Sequence, residues 1–270
     1  MSGRRTGVPR RCALRAAAGA LVTGAFAPGC APGGSAPLSA DTTEKAQGAR
    51  EAHDALRPAP SAAPAPRRFP GHPDQIERGP ADRPRVALTF HGQGDPVLAG
   101  AVLAEAERAG ARLTVLAVGS WLDEHPGMAR RILDGGHDLG NHTQSHLDIN
   151  AMDESRAYEE IAGCARRLRR LTGSIGTWFR PSRARRATPL VTELARRAGY
   201  PHVLSYGVDS LDFTSPGTAA VTRKVAGELR NGSVVSLHFG YRDTVAALPL
   251  LLAEIGRRRM RAVTATELLT

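Results

Sequence analysis

Pro84-Arg85-Val86-Ala87-Leu88-Thr89-Phe90-His91-Gly92-Gln93-Gly94-Asp95-Pro96 opens the folded part of the chain and sets its architecture. Val86–Phe90 is a short, unbroken apolar run, which is how a strand buried on both faces reads. A Gly-rich turn follows it, then a helical pattern from Val97 to Ala109 that Gly110 ends. Arg112–Val118 is the next strand, and the alternation continues. Helices are expected at 126–133, 153–171, 189–198, 218–229 and 245–257, with strands at 137–141, 177–179, 203–205, 233–237 and 262–264. The helix at 153–171 has an acidic start, a basic end and apolar residues at helical spacing. Alternation of this kind predicts parallel β/α units. Folds of that class place ligand sites at the C-terminal ends of their strands. His91, His142, Arg180, Asp209 and His238 stand at those ends.

Upstream of this block the chain has another character. Residues 1–30 begin with Arg4, Arg5, Arg10, Arg11 and Arg15 and continue into the apolar run 16–26, too short for a finished membrane span. That pattern reads as an export signal. Arg10-Arg11-Cys12-Ala13-Leu14-Arg15 resembles a twin-arginine sequence, with an ordinary Arg-rich secretory leader as the alternative. Ala27-Pro28-Gly29-Cys30 resembles a lipobox, so Cys30 is the expected site of lipid attachment to the membrane, with secretion after conventional cleavage as the alternative. Residues 31–82 are rich in Ala and Pro and read as an extended linker with a short helix across 41–56. The domain is therefore expected over 83–270, on the outer side of the cell membrane.

Charge excludes one class of function. Half of the formal net charge of +10 lies in the five leader arginines, and the remainder is not gathered into a Lys/aromatic patch. Nucleic acid is therefore not an expected partner. Cys164 lies in a helical stretch and reads as an inert buried residue rather than a nucleophile. His53, His72, His125 and His202 lack partners at motif spacing and read as surface or linker residues, while Trp121 and Trp178 read as core.

His142-Thr143-Gln144-Ser145-His146 puts two imidazoles four residues apart, suited to one metal if a helical turn begins there. Around this pair lie Thr89-Phe90-His91-Gly92, Phe179-Arg180-Pro181-Ser182-Arg183, Asp209-Ser210-Leu211-Asp212-Phe213 and Ser236-Leu237-His238. In order and spacing these resemble the Thr-Phe-Asp-Asp-Gly, His-(Ser/Thr)-x-x-His, Arg-Pro-Pro-(Tyr/Phe)-Gly, Asp-x-x-Asp-Trp and Leu-x-His motifs of the polysaccharide deacetylases of carbohydrate esterase family 4. The resemblance covers nearly all of 84–270.

It implies a distorted (β/α) barrel and removal of acetyl groups from N-acetylated polysaccharide. A divalent metal, usually zinc, would be held in part by His142 and His146. His238 would be the general acid, with Asp209 beside it. Arg180 would orient acidic partners, and the backbone near Ser182–Arg183 would help hold the oxyanion.

The first motif departs from the family, because its two acids are His91 and Gly92. One account brings Asp95 to the metal on a loop freed by Gly92 and Gly94, with His91 as base. A second makes His91 a third nitrogen ligand and Asp95 the base. A third has the metal or the base lost and the domain only binding glycan. In the third motif Arg183 removes an aromatic wall and adds a charge, which points toward an anionic polymer such as peptidoglycan rather than neutral chitin. An O-acetyl ester is the remaining substrate class.

Overall fold

The computed structural model describes residues 63–270. The expected export signal and lipid-bearing Cys30, the helix expected at 41–56 and His53 lie outside the described residues.

Among the described residues eight strands are interspersed with helices. They are β1 (Gln75–Ile76), β2 (Arg85–Gly92), β3 (Thr114–Ala117), β4 (Asp138–Asn141), β5 (Val203–Leu204), β6 (Val208–Asp209), β7 (Val234–His238) and β8 (Arg261–Ala262). The helices are α1 (Pro96–Arg108), α2 (Gly119–Glu124), α3 (Gly127–Asp134), α4 (Glu154–Thr172), α5 (Pro189–Arg197), α6 (Thr218–Glu228), α7 (Arg242–Arg257) and α8 (Ala265–Leu268).

Every pairing between these strands is parallel. The sheet runs β4-β3-β2-β7-β6, with β8 paired to the start of β2. Single bridges from Asn141 to Phe179 and from Phe179 to Val203 carry the sheet round to β5 and β1. The result is the distorted β/α barrel that the motifs imply. β2 lies at its centre, and from Val86 to Gly92 the strand is buried, as its apolar run requires.

The domain boundary and the place of His202 differ from expectation. The domain does not begin at 83, because Phe69 is buried with its ring stacked on Trp178 at 5.3 Å and Ile76 pairs within the sheet. These apolar residues lie singly among prolines and polar residues, so no period reveals them. His202 is buried rather than on the surface: Nε2 accepts the Phe69 N–H at 2.9 Å, and Nδ1 lies 2.8 Å from the Pro73 carbonyl. Trp178 and Trp121 are core residues, as expected. Cys164 is buried too, and burial pushes its thiol up to about 12, where it is inert.

Candidate functional site

The site lies where β2, β4 and β7 end. His91 is the seventh residue of β2, and its register partner on β7 is His238, so two imidazoles enter the barrel mouth side by side. Their rings stack with centroids 4.2 Å apart and planes 12° from parallel. Thr89 and Ser236 form a second register pair two residues below. Because strand side chains alternate, this pair shares the inward face with the histidines.

β4 ends at Asn141, whose side chain fixes the next loop. Its Nδ2 donates to the Ile161 carbonyl and the Tyr200 hydroxyl, and its Oδ1 accepts the Thr143 N–H at 2.8 Å. The His142–His146 segment is not a helical turn. Thr143 and His146 adopt left-handed backbone, at φ 69° and 54°, and the Thr143 hydroxyl accepts the His146 N–H. The tight loop brings the two rings to 4.9 Å.

His91, His142 and His146 each offer a nitrogen, and these nitrogens lie within 4.8 Å of one another. His142 Nδ1 donates to the Arg180 carbonyl at 3.1 Å, leaving Nε2 to face the site. His91 Nδ1 lies 2.7 Å from that Nε2, and its own Nε2 lies 2.9 Å from the Ser236 hydroxyl. Burial, helped by the crowding of imidazoles and by the Arg180 guanidinium, holds His91 and His142 well below the usual imidazole pKa. Burial and the charge of Arg183 lower His146 in the same direction. Three neutral, converging imidazoles fit a divalent cation, because a metal takes the unprotonated ring.

Asp95 stands outside this group, contrary to the expectation that it reaches the metal. It is exposed, and its carboxylate accepts the Val97 N–H at 2.8 Å, capping α1. Gly92 is not part of a freed loop either, since it is the last residue of β2. A Cβ there would meet Val115 Cγ1 at 2.9 Å and Ala117 Cα at 3.0 Å, so β3 occupies the space of a side chain. Gly94 does give the loop its freedom, with φ 99° and the Gly240 backbone pressed against it.

The acid beside His238 is Asp212, not Asp209. Asp212 Oδ1 lies 2.7 Å from His238 Nδ1, and Oδ2 accepts the His238 N–H and the Thr244 hydroxyl. Burial opposes its charge, but the bonds from His238 and Thr244 outweigh that and keep its pKa below the usual carboxylate value. Asp209 instead uses Oδ1 to accept the Leu211 N–H, in the turn that presents Asp212. The spacing Asp-x-x-Asp offered both acids. Only the left-handed turn at Leu211 shows which one points inward.

Arg180 is fully buried and orients no carboxylate. Its guanidinium donates to the Leu204 and Ser205 carbonyls and the Thr89 hydroxyl, and it lies over the Tyr206 ring. Burial lowers its pKa to about 10. Ser182 is also buried, with its hydroxyl bonded to the Leu147 carbonyl. Arg183 is exposed in left-handed backbone at φ 55° and makes no ion pair among the described residues.

Phe213 and Tyr241 approach the His238 ring to 5.2 and 6.1 Å, and Phe213 is 44% exposed. From Tyr241 a cleft of about 440 Å³ continues past Gln93, Ser120 and Trp121. Thr244 carries no signal of its place beside Asp212, since polar residues of this type are common in turns.

An imidazole cluster beside an Asp-held imidazole, at the C-terminal mouth of a parallel barrel, is the layout of a hydrolase. Comparison gives the family. The polysaccharide deacetylase family matches residues 78–203. The peptidoglycan-N-acetylglucosamine deacetylase of Bacillus cereus is 30% identical over 188 residues, covering 68% of this chain and 87% of that protein. A chitooligosaccharide deacetylase of Bradyrhizobium is 26% identical over 196 residues, covering 64% and 85%. In fold, a crystal structure of a family 4 pseudoenzyme from Bacillus anthracis superposes with a TM-score of 0.70 at 21% identity, covering 74% and 70%. The chain belongs to the polysaccharide deacetylases of carbohydrate esterase family 4, hydrolases that act on amide bonds.

Proposed function

We propose that this protein removes acetyl groups from the N-acetylated amino sugars of an envelope polysaccharide, with peptidoglycan favoured over neutral chitin. The observation that carries this reading is the meeting of the His91–His142–His146 cluster with the His238–Asp212 pair in one barrel mouth. A divalent ion, zinc by the all-nitrogen donor set, would polarise the acetyl carbonyl and acidify the attacking water.

The chain's own residues supply the proton traffic. Asp212 holds the His238 Nδ1–H and leaves Nε2 toward the site. With the first-motif acids replaced by His91 and Gly92, His238 is left to take the proton of the attacking water. As the carbonyl carbon gains the water oxygen and loses the amide nitrogen, His238 gives that proton to the departing amine. Phe213 and Tyr241 flank the ring and offer apolar faces to a sugar. Arg183 supplies a positive charge at the rim beside His146, suited to a carboxylate-bearing glycan.

The Ala27-Pro28-Gly29-Cys30 pattern supports placing the enzyme outside the cytoplasm on a lipid carried by Cys30. Lipid labelling that persists in Cys30→Ser would remove that anchor from the reading.

The test of function is acetate release from peptidoglycan fragments and chitooligosaccharides, measured with the zinc content of the wild type and of His142→Ala. Bound zinc and acetate release that fall together in the variant support the deacetylase. Retained glycan binding with neither zinc nor acetate release would make the domain a glycan-binding protein. Acetate release from acetate esters alone would make it an O-acetyl esterase.

A further inference from the structure

We infer that His91 is the third ligand of an all-nitrogen metal centre, through Nδ1, and that Ser236 is the positioning residue that makes this nitrogen available. The inference rests on the proposed function, since it assumes that the cluster holds a cation.

The argument is one of proton placement. His142 donates its Nδ1–H to the Arg180 carbonyl, so its Nε2 presents a lone pair to the site. His91 Nδ1 faces that lone pair at 2.7 Å. A neutral His91 has two choices. With its proton on Nδ1 it donates to His142 Nε2, and both nitrogens are lost to a metal. With its proton on Nε2, Nδ1 and His142 Nε2 both offer lone pairs to one ion.

The second choice requires an acceptor for the Nε2–H. Two groups lie near that nitrogen. Arg180 Nη1 is 3.4 Å away, but a guanidinium has donors only. The Ser236 hydroxyl is 2.9 Å away and can accept. Among the described residues Ser236 is thus the group that stabilises the ligating tautomer, as outer-shell partners of metal-bound histidines do.

Two departures from the family motifs meet here. His91 stands where the first motif has an acid, and Ser236 stands where the Leu-x-His motif has its Leu. Their strands pair in register, so the two changes become neighbours in space. The apolar residue of the motif could not accept the Nε2 proton. A hydroxyl is what an imidazole at position 91 needs in order to act as a ligand. Three neutral ligands also predict a preference for zinc, cobalt or copper over magnesium or manganese, which favour oxygen donors.

The test is metal affinity, read by chelator competition on the full chain, with no activity needed. Ser236→Ala is expected to weaken zinc binding roughly 10–100-fold, Ser236→Thr to restore most of it, and His91→Ala to weaken it further. In the copper-loaded protein, the number of coupled nitrogens in the electron spin resonance spectrum should fall from three to two in His91→Ala. Zinc affinity unchanged in Ser236→Ala, or three coupled nitrogens retained in His91→Ala, would overturn this inference and leave the deacetylase reading standing. A wild-type protein that takes up no zinc overturns both. Melting curves of the metal-free variants separate lost ligation from lost folding.

Discussion

His91 and His238 are register partners on adjacent parallel strands, and their rings stack 4.2 Å apart. Strand pairing therefore sets the spacing between the histidine cluster and the residue proposed to move the proton. The two rings differ in what holds them: Ser236 for one and Asp212 for the other. His238→Ala is expected to lower kcat by about 10²–10⁴-fold. Asp212→Ala should approach that loss, because His238 and Thr244 both lose their acceptor. Asp209→Asn should leave kcat near the wild-type value. Steady-state kinetics on chitooligosaccharide decide it, and a large loss in Asp209→Asn with little in Asp212→Ala would reverse the assignment.

Asp95 offers a separation of stability from chemistry. Its carboxylate caps α1 and lies outside the histidine group. Asp95→Ala should cost about 1 kcal/mol of stability and lower the melting temperature, with zinc affinity unchanged. Loss of zinc in this variant would return Asp95 to the metal.

How much of this was legible beforehand follows from physical range. The long helices were readable from periodicity and caps, and β2 and β7 from their apolar runs, all of which are local signals. β1 and β6 are not, because each is two residues long and is set among polar residues, Gly or Pro rather than in an apolar run. The failures are contacts. Asp209 and Asp212 are equivalent in a spacing pattern and are separated only by a left-handed turn at Leu211. Gly92 read as loop freedom, whereas the approach of β3 demands it. Ser236 carried no signal, because its role exists only when His91 is beside it.

Gly92 makes that point testable. A side chain there meets Val115 and Ala117 of β3 at 2.9–3.0 Å, and part of that contact is backbone that cannot yield. Gly92→Ala is predicted to cost roughly 1–3 kcal/mol by overpacking. Gly92→Asp, which copies the family motif, should be worse, because it also buries a charge without a partner. Thermal melts that match the wild type would show that β3 can withdraw.

The pH dependence of stability should be set by imidazoles. His91, His142, His146, His137 and His202 are all held below the ordinary value of 6.5, with burial the largest cause for each. Below 6.5 the unfolded chain binds protons that the folded protein resists, so stability falls as pH drops through that value. Asp212, lowered from 3.8, costs stability only at still more acid pH. The metal-free protein should lose melting temperature steadily between about pH 7 and pH 5. A curve flat to the carboxylate range would mean that these rings are protonated in the fold. Zinc should shift the onset to lower pH, since bound rings cannot take protons.

Arg183 bears on substrate choice. It follows Ser182, which is bonded to Leu147 next to His146, and its charge reaches His146. The family's aromatic would offer a neutral sugar a flat face at this position, whereas a guanidinium offers a carboxylate paired donors. Arg183→Gln is therefore expected to raise KM for peptidoglycan fragments bearing free carboxylates by several-fold, leaving kcat and the KM for chitooligosaccharide almost unchanged. Raised salt should erase the difference between wild type and variant, because an exposed charge pair is screened. Equal effects on both substrates would instead assign Arg183 to holding the loop, and the preference for an anionic polymer would lose its support.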